Sequence, residues 1–67
     1  QITFELPIIT TESKLQIKDV FGKTVSIFTL FNGQAQLVWD CSNISNGVYF
    51  YQTEIDGINY SGKILIQ

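Results

Sequence analysis

Apolar and polar residues alternate with a period of two along most of the chain, which is the pattern of half-buried β-strands. The first run covers residues 2–6 and ends at Pro7, and the second alternates around Leu15 and Ile17. Further runs follow at 25–31, 35–41, 48–55 and 58–66. No window shows sustained helical spacing, so the pattern predicts short strands and essentially no helix.

Turn residues separate these runs. Residues 20–23 are predicted to form a turn in which Gly22 supplies a positive φ. Asn32-Gly33 predicts a hairpin between the runs on either side of it, and Asp56-Gly57 predicts a second tight hairpin. Gly22 and Gly47 are also expected to occupy positions where a side chain would clash with neighbouring atoms.

The run at 48–55 is apolar on both faces, with Val48 and Phe50 on one and Tyr49, Tyr51 and Ile55 on the other. Such a strand is typical of the centre of a sheet covered on both sides. Short strands with regular turn signals therefore predict an all-β fold, a small antiparallel β-sandwich of six to seven short strands. The alternative, a single meandering sheet, would leave the strand around Phe50 uncovered.

Length and composition fit one small packed domain. The chain has 67 residues, of which 45% are hydrophobic. A chain of this length can bury only enough surface to form one hydrophobic core. The four basic residues are scattered along the sequence and the net charge is −2. Nucleic-acid binding needs a concentrated basic surface, so no nucleic-acid partner is predicted.

Few residues point to catalysis or to a metal. The chain has no histidine, and its single cysteine, Cys41, can form neither an intrachain disulfide nor a usual zinc site. Cys41 is interpreted as a small buried hydrophobe rather than a reactive thiol. Glu54 and Asp56 could form a carboxylate pair but are more typical of solvated strand-end charges. No cofactor, metal or enzymatic activity is predicted.

Two features leave a choice between packing and recognition. The aromatic residues of the second half of the chain could form either a core or a sugar-binding platform rimmed by Gln52 and Asn59. They are Trp39, Tyr49, Phe50, Tyr51 and Tyr60. Lys63 interrupts an apolar final strand. It is either an outward residue that protects a sheet edge or a recognition contact.

Three blocks in order, residues 19–23, 45–49 and 62–67, resemble the type A C-terminal sorting domain of Bacteroidetes type IX secretion. Leu15, Ile17 and Val25 accompany the first block, and Ile44 stands where the family motif of the second has leucine. The resemblance implies these recognition residues: Asp19, Gly22, Lys23, Ser45, Gly47, Tyr49, Lys63, Ile64 and Ile66.

The resemblance also implies an immunoglobulin-like sandwich that is not an enzyme. Residues 1–67 would be a single C-terminal sorting domain of a larger cargo protein, with an N-terminal export address upstream. The family's Asn-Pro element is absent before the first strand, so the expectation is that either the chain was cut at Gln1 or the edge of the first strand is incomplete. The implied partners are an outer-membrane secretion translocon and a sortase-like protease, and the cargo would pass through the periplasm before being released or anchored to lipopolysaccharide at the cell surface.

A physical hypothesis for the signal is that the machinery pairs with the exposed edge of the final strand, residues 58–67, and that Lys63 gives selectivity. The alternative is an immunoglobulin-like structural or adhesion module, or a carbohydrate-binding one, of a cell-surface protein. Trp39-Asp40 and the run 47–51 resemble modules related to the flagellar hook-capping protein.

Overall fold

The computed structural model describes all 67 residues and contains six β-strands and no helix. The all-β prediction is therefore confirmed, and no helix exists that could cross a membrane. The strands are β1 (Ile2–Glu5), β2 (Ser13–Lys18), β3 (Thr24–Leu30), β4 (Gln36–Trp39), β5 (Gly47–Ile55) and β6 (Ile58–Ile66).

The strands form two sheets in which every pairing is antiparallel. The larger sheet has the order β3-β2-β5-β6, and β1 pairs with β4 in a smaller one. The two sheets share one hydrophobic core, so the predicted small antiparallel sandwich is confirmed in a form compatible with an immunoglobulin-like fold, and the single meandering sheet is excluded.

The core lies between the two sheets. Its nine buried members are Ile9, Leu15, Ile17, Leu30, Trp39, Tyr49, Ile55, Ile64 and Ile66. Two edge-to-face aromatic contacts join the layers: Trp39 meets Tyr49 with ring centroids 6.2 Å apart, and Phe4 meets Tyr51 at 5.4 Å. Most of the aromatic residues thus serve packing, while Cys41 is half-buried against the core rather than fully buried.

The β5–β6 turn is the predicted two-residue hairpin. Asp56 has φ 50° and Gly57 has φ 83°, and Ile55 pairs with Ile58 across the turn. Two consecutive positive φ angles are typical of a type I′ turn, which matches the twist of the flanking strands.

The prediction of a hairpin at Asn32-Gly33 is wrong. A turn forms there, because the N–H of Gln34 donates to the carbonyl of Phe31 at 3.0 Å, but β3 and β4 belong to different sheets. The reason is burial. Leu30 is the last residue of β3 and Trp39 the last residue of β4. Both side chains are buried in the core, Leu30 from the larger sheet and Trp39 from the smaller one. Local turn geometry cannot override that requirement.

The prediction for β5 is half right. β5 lies between β2 and β6, as expected of a central strand, but only one of its faces is covered. Phe50 is 43% exposed on the other face, beside exposed Gln52 and Glu54. The smaller sheet packs against one face of the larger sheet, and no other part of the chain covers the opposite face.

The expected clashes at two glycines are also wrong. A Cβ placed on Gly22 would meet no atom within 4 Å, and one on Gly47 would have its nearest contact at 3.9 Å. Their φ angles are 82° and 151°, values that L-residues rarely adopt. Backbone conformation, and not lack of space, requires glycine at both positions.

Candidate functional site

Asp19 builds the turn between β2 and β3. Its carboxylate accepts hydrogen bonds from the backbone N–H groups of Phe21, at 2.9 Å, and Lys23, at 3.0 Å. The Asp19 backbone also bonds to Gly22 and Lys23. Asp19 and Gly22 therefore fix the shape of the turn, and Lys23 is exposed at its end.

The second motif fixes the start of β5. The hydroxyl of Tyr49 donates to the carbonyl oxygen of Ser45 at 2.7 Å, while its ring is buried against Trp39. A tyrosine bonded back to the chain just upstream of its strand is also a feature of immunoglobulin-type sandwiches. Ser45 and Tyr49 thus anchor the connection that precedes β5.

The third motif lies on β6 and divides between its two faces. Ile64 and Ile66 are each 8% exposed and belong to the core. Lys63 and Leu65 point to the opposite face and are exposed. Gly62 lies beneath the ring of Tyr51, where a Cβ would come within 2.7 Å of the ring Cζ atom.

The uncovered face of the larger sheet is here called the open face. By strand alternation and register the side chains on this face include Lys14, Gln16, Lys18, Ile27, Thr29, Val48, Phe50, Gln52, Glu54, Asn59, Ser61, Lys63 and Leu65. The basic residues are scattered along the sequence, but the strand register brings most of them to this face. Three of the four basic residues, Lys14, Lys18 and Lys63, share this face with one acidic residue, Glu54.

One cross-strand row of the open face has a distinct composition. Lys18 of β2 pairs with Phe50 of β5, which pairs with Lys63 of β6. The row lines a shallow groove of about 670 Å³ whose other polar lining includes Gln52, Asn59 and Ser61. Two ammonium groups flank an exposed aromatic ring with no carboxylate in the row, so this position favours an anionic contact.

β6 also presents an unpaired backbone edge. It is the last strand of the larger sheet and pairs with β5 along its whole length without a register shift. Ile58 closes the two-residue hairpin and so points its backbone groups toward β5. By alternation the amide and carbonyl groups of Asn59, Ser61, Lys63 and Leu65 point away from the sheet and have no strand partner.

Two aspartates, Asp40 and Asp56, have lowered pKa values because their carboxylates accept hydrogen bonds that hold loops in place. Hydrogen bonds from the side chains of Thr10 and Thr11 hold the pKa of Asp56 below its usual value. Hydrogen bonds from Ser42 lower the pKa of Asp40 in the same way. Asp56 is thus engaged across the chain, whereas Glu54 lies on the open face. No three His, Cys, Asp or Glu side chains come together in a way that could hold a metal ion.

Of the nine residues that the sequence motifs single out, two are exposed charged side chains, Lys23 and Lys63. The others form turns, anchor the start of β5 or fill the core. The sequence motifs did not identify Lys18 and Phe50, which the strand register places beside Lys63. The alternation of Lys14, Gln16 and Lys18 indicates a solvent-facing side for β2 but not which strand lies next to it.

A family model described as the secretion system C-terminal sorting domain matches residues 1–67, the whole chain. No curated protein and no solved structure matches it. Family membership indicates a role in export rather than in catalysis. The chain belongs to the secretion system C-terminal sorting domain family, and it carries a type IX sorting signal that interacts with the secretion machinery and marks a protein for export across the outer membrane to the cell surface or the medium.

Proposed function

We propose that residues 1–67 act as one sorting domain at the C-terminus of a larger cargo protein and that the outer-membrane translocon recognises β6. The observation that carries this proposal is the position of β6. It is a nine-residue strand paired on one side only, in a chain that belongs to a sorting family. An unpaired edge offers main-chain hydrogen bonds to a partner, which is the basis of strand addition.

The motif residues divide between two roles in this proposal. Asp19, Gly22, Ser45, Gly47, Tyr49, Ile64 and Ile66 hold the sandwich and its turns in shape. Lys63 on β6 contacts the translocon directly, and Lys23 at the β2–β3 turn provides a second exposed charge. The core residues therefore affect sorting through folding, whereas Lys63 affects it without changing stability.

A sortase-like protease then removes the domain, and the cargo is released or anchored at the surface. The domain itself catalyses no step. Mass spectrometry of the mature parent protein tests this part of the proposal, because the sorting domain is expected to be missing from its C-terminus. A structural or adhesion module would instead persist in the mature protein.

An export assay tests the role of β6. The chain is fused to the C-terminus of a secreted reporter in a cell with type IX secretion, and deletion of residues 63–67 is expected to leave the reporter in the periplasm. Because that deletion also removes Ile64 and Ile66 from the core, Lys63→Glu provides the sharper variant. Lys14→Glu makes the same charge change on the open face, on β2 and outside the row that contains Lys63. Normal export of the Lys63→Glu reporter would contradict the proposal.

A further inference from the structure

We infer that the free edge of β6 accepts an extended strand of a partner protein that carries a carboxylate beside Lys63 and an apolar side chain beside Leu65. The inference rests on the proposed recognition of β6 and specifies the chemistry of the partner. The two positions face the same side of β6 and are separated by one residue. The partner strand therefore has its acidic and apolar residues at positions i and i+2, in either order.

The backbone supplies the first part of the argument. Asn59, Ser61, Lys63 and Leu65 direct unpaired amide and carbonyl groups outward along one straight edge. β6 contains no proline and no bulge, the usual features that prevent pairing at an edge. Its one protective feature is Lys63, and a lysine prevents pairing only with strands that do not offer a negative charge at that position.

The charges supply the second part. An added strand extends the row Lys18–Phe50–Lys63 by one position, and a side chain there lies about 5 Å from Lys63 across the ladder. A carboxylate at that point meets an ammonium group with no competing acid in the row. A lysine there would be repelled by Lys63 and, more weakly, by Lys18.

The neighbouring rows restrict the partner further. Leu65 is 60% exposed and pairs with Val48 on the open face, so an apolar neighbour extends an apolar row. Asn59 pairs with Glu54, which disfavours a second acid at that end of the added strand. The rows therefore specify at which positions of β6 the acidic and the apolar side chain of the partner lie.

The β6 strand of a second copy fits this edge poorly. β6 contains no acidic residue from Ile58 to Ile66, so another β6 cannot place a carboxylate beside Lys63. The edge is thus complementary to a different strand and not to itself.

The test uses the purified chain and a blocked nonapeptide, Thr-Gln-Val-Thr-Glu-Thr-Val-Gln-Thr, with a matched peptide in which lysine replaces glutamate. The peptide sequence is the same in both directions, so with glutamate beside Lys63 a valine lies beside Leu65 whether the strand adds parallel or antiparallel to β6. Amide hydrogen exchange by NMR is the readout. The glutamate peptide is expected to slow exchange at Asn59, Ser61, Lys63 and Leu65 and to bind about fivefold to tenfold more tightly than the lysine peptide. Equal binding of the two peptides, or no protection of these amides, would overturn the inference.

Charge-swap variants complete the test. Lys63→Glu is expected to reverse the preference between the two peptides, while Lys14→Glu, with the same net charge, leaves it unchanged. Protection of the four amides that rises with protein concentration in the absence of peptide would identify a second copy as the occupant and overturn the inference. If the peptides fail while export still depends on Lys63, the inference fails and the sorting function stands. If export is independent of Lys63, the proposed role of β6 fails instead.

Discussion

The hydroxyl of Tyr49 donates a 2.7 Å hydrogen bond to the carbonyl oxygen of Ser45, four residues earlier in the chain. Tyr49→Phe keeps the buried ring and removes this bond, leaving a part-buried carbonyl without its partner. We expect a loss of about 1 kcal/mol in the free energy of unfolding, measured by urea denaturation. Tyr60→Phe is the control, because the half-buried Tyr60 makes no side-chain hydrogen bond and its change is expected to be within about 0.5 kcal/mol. Equal losses in the two variants would contradict the role given to Tyr49.

Gly62→Ala is expected to destabilise the domain by about 1 to 3 kcal/mol, because the new Cβ would overlap the ring of Tyr51. The ring is packed against Phe4 and cannot move away freely. A double-mutant cycle with Tyr51→Val tests the cause, since removing the ring makes room for the methyl group. The two losses should then be strongly non-additive. Simple additivity would show that Tyr51 is not the obstacle.

Two side chains of the β2–β3 turn, Asp19 and Phe21, are expected to contribute very differently to stability. Asp19→Ala removes two hydrogen bonds to backbone N–H groups and is expected to cost about 1 to 2 kcal/mol of unfolding free energy. Phe21→Ala in the same turn removes a side chain that is 92% exposed and is expected to change stability by less than about 0.5 kcal/mol. Chemical denaturation of both variants checks the order. A larger loss from the Phe21 variant would show that the ring packs in solution.

Asp56 gives the domain a pH-dependent contact. Hydrogen bonds from Thr10 and Thr11 hold its folded-state pKa below the ordinary value of 3.8. The contribution of the carboxylate is therefore present above that ordinary value and is lost as the pH falls through the lowered folded-state pKa. Asn at this position keeps the positive φ that the turn requires, so Asp56→Asn isolates the charge.

Thermal unfolding of the native chain and of Asp56→Asn is compared from about pH 6 down to about pH 2. The native chain is expected to be the more stable at the upper end, and the difference between the two is expected to shrink on acidification. A difference that stays constant across this range would mean that the charge of Asp56 does not contribute.

Features that depend on neighbouring residues were predictable from the sequence. Asp56-Gly57 defines its hairpin because the turn and both strands are contiguous. Asn32-Gly33 is a similar turn signal, but the strands that flank it pair elsewhere. β3 pairs with β2 across the predicted turn at residues 20–23. β4 pairs with β1 near the start of the chain, and that pairing follows from which side chains enter the shared core. No local pattern contains that information.

The same limit applies to the open face. Lys63 is recognisable in the sequence because a charge interrupts an apolar strand. Phe50 is its neighbour through the β5–β6 register, which the Asp56-Gly57 hairpin sets. Lys18 joins the same row only through the β2–β5 register, which pairs segments far apart in the chain. The lysines can be counted in the sequence, but their arrangement on the open face follows only from the strand register.

The single tryptophan, Trp39, belongs to the smaller sheet, whose ladder pairs only four residues on each strand. Its fluorescence will follow the loosening of that short ladder, while far-ultraviolet circular dichroism is dominated by the larger sheet. The unfolding curves recorded with the two probes will differ if the smaller sheet unfolds before the larger sheet. They will coincide if the two sheets unfold together.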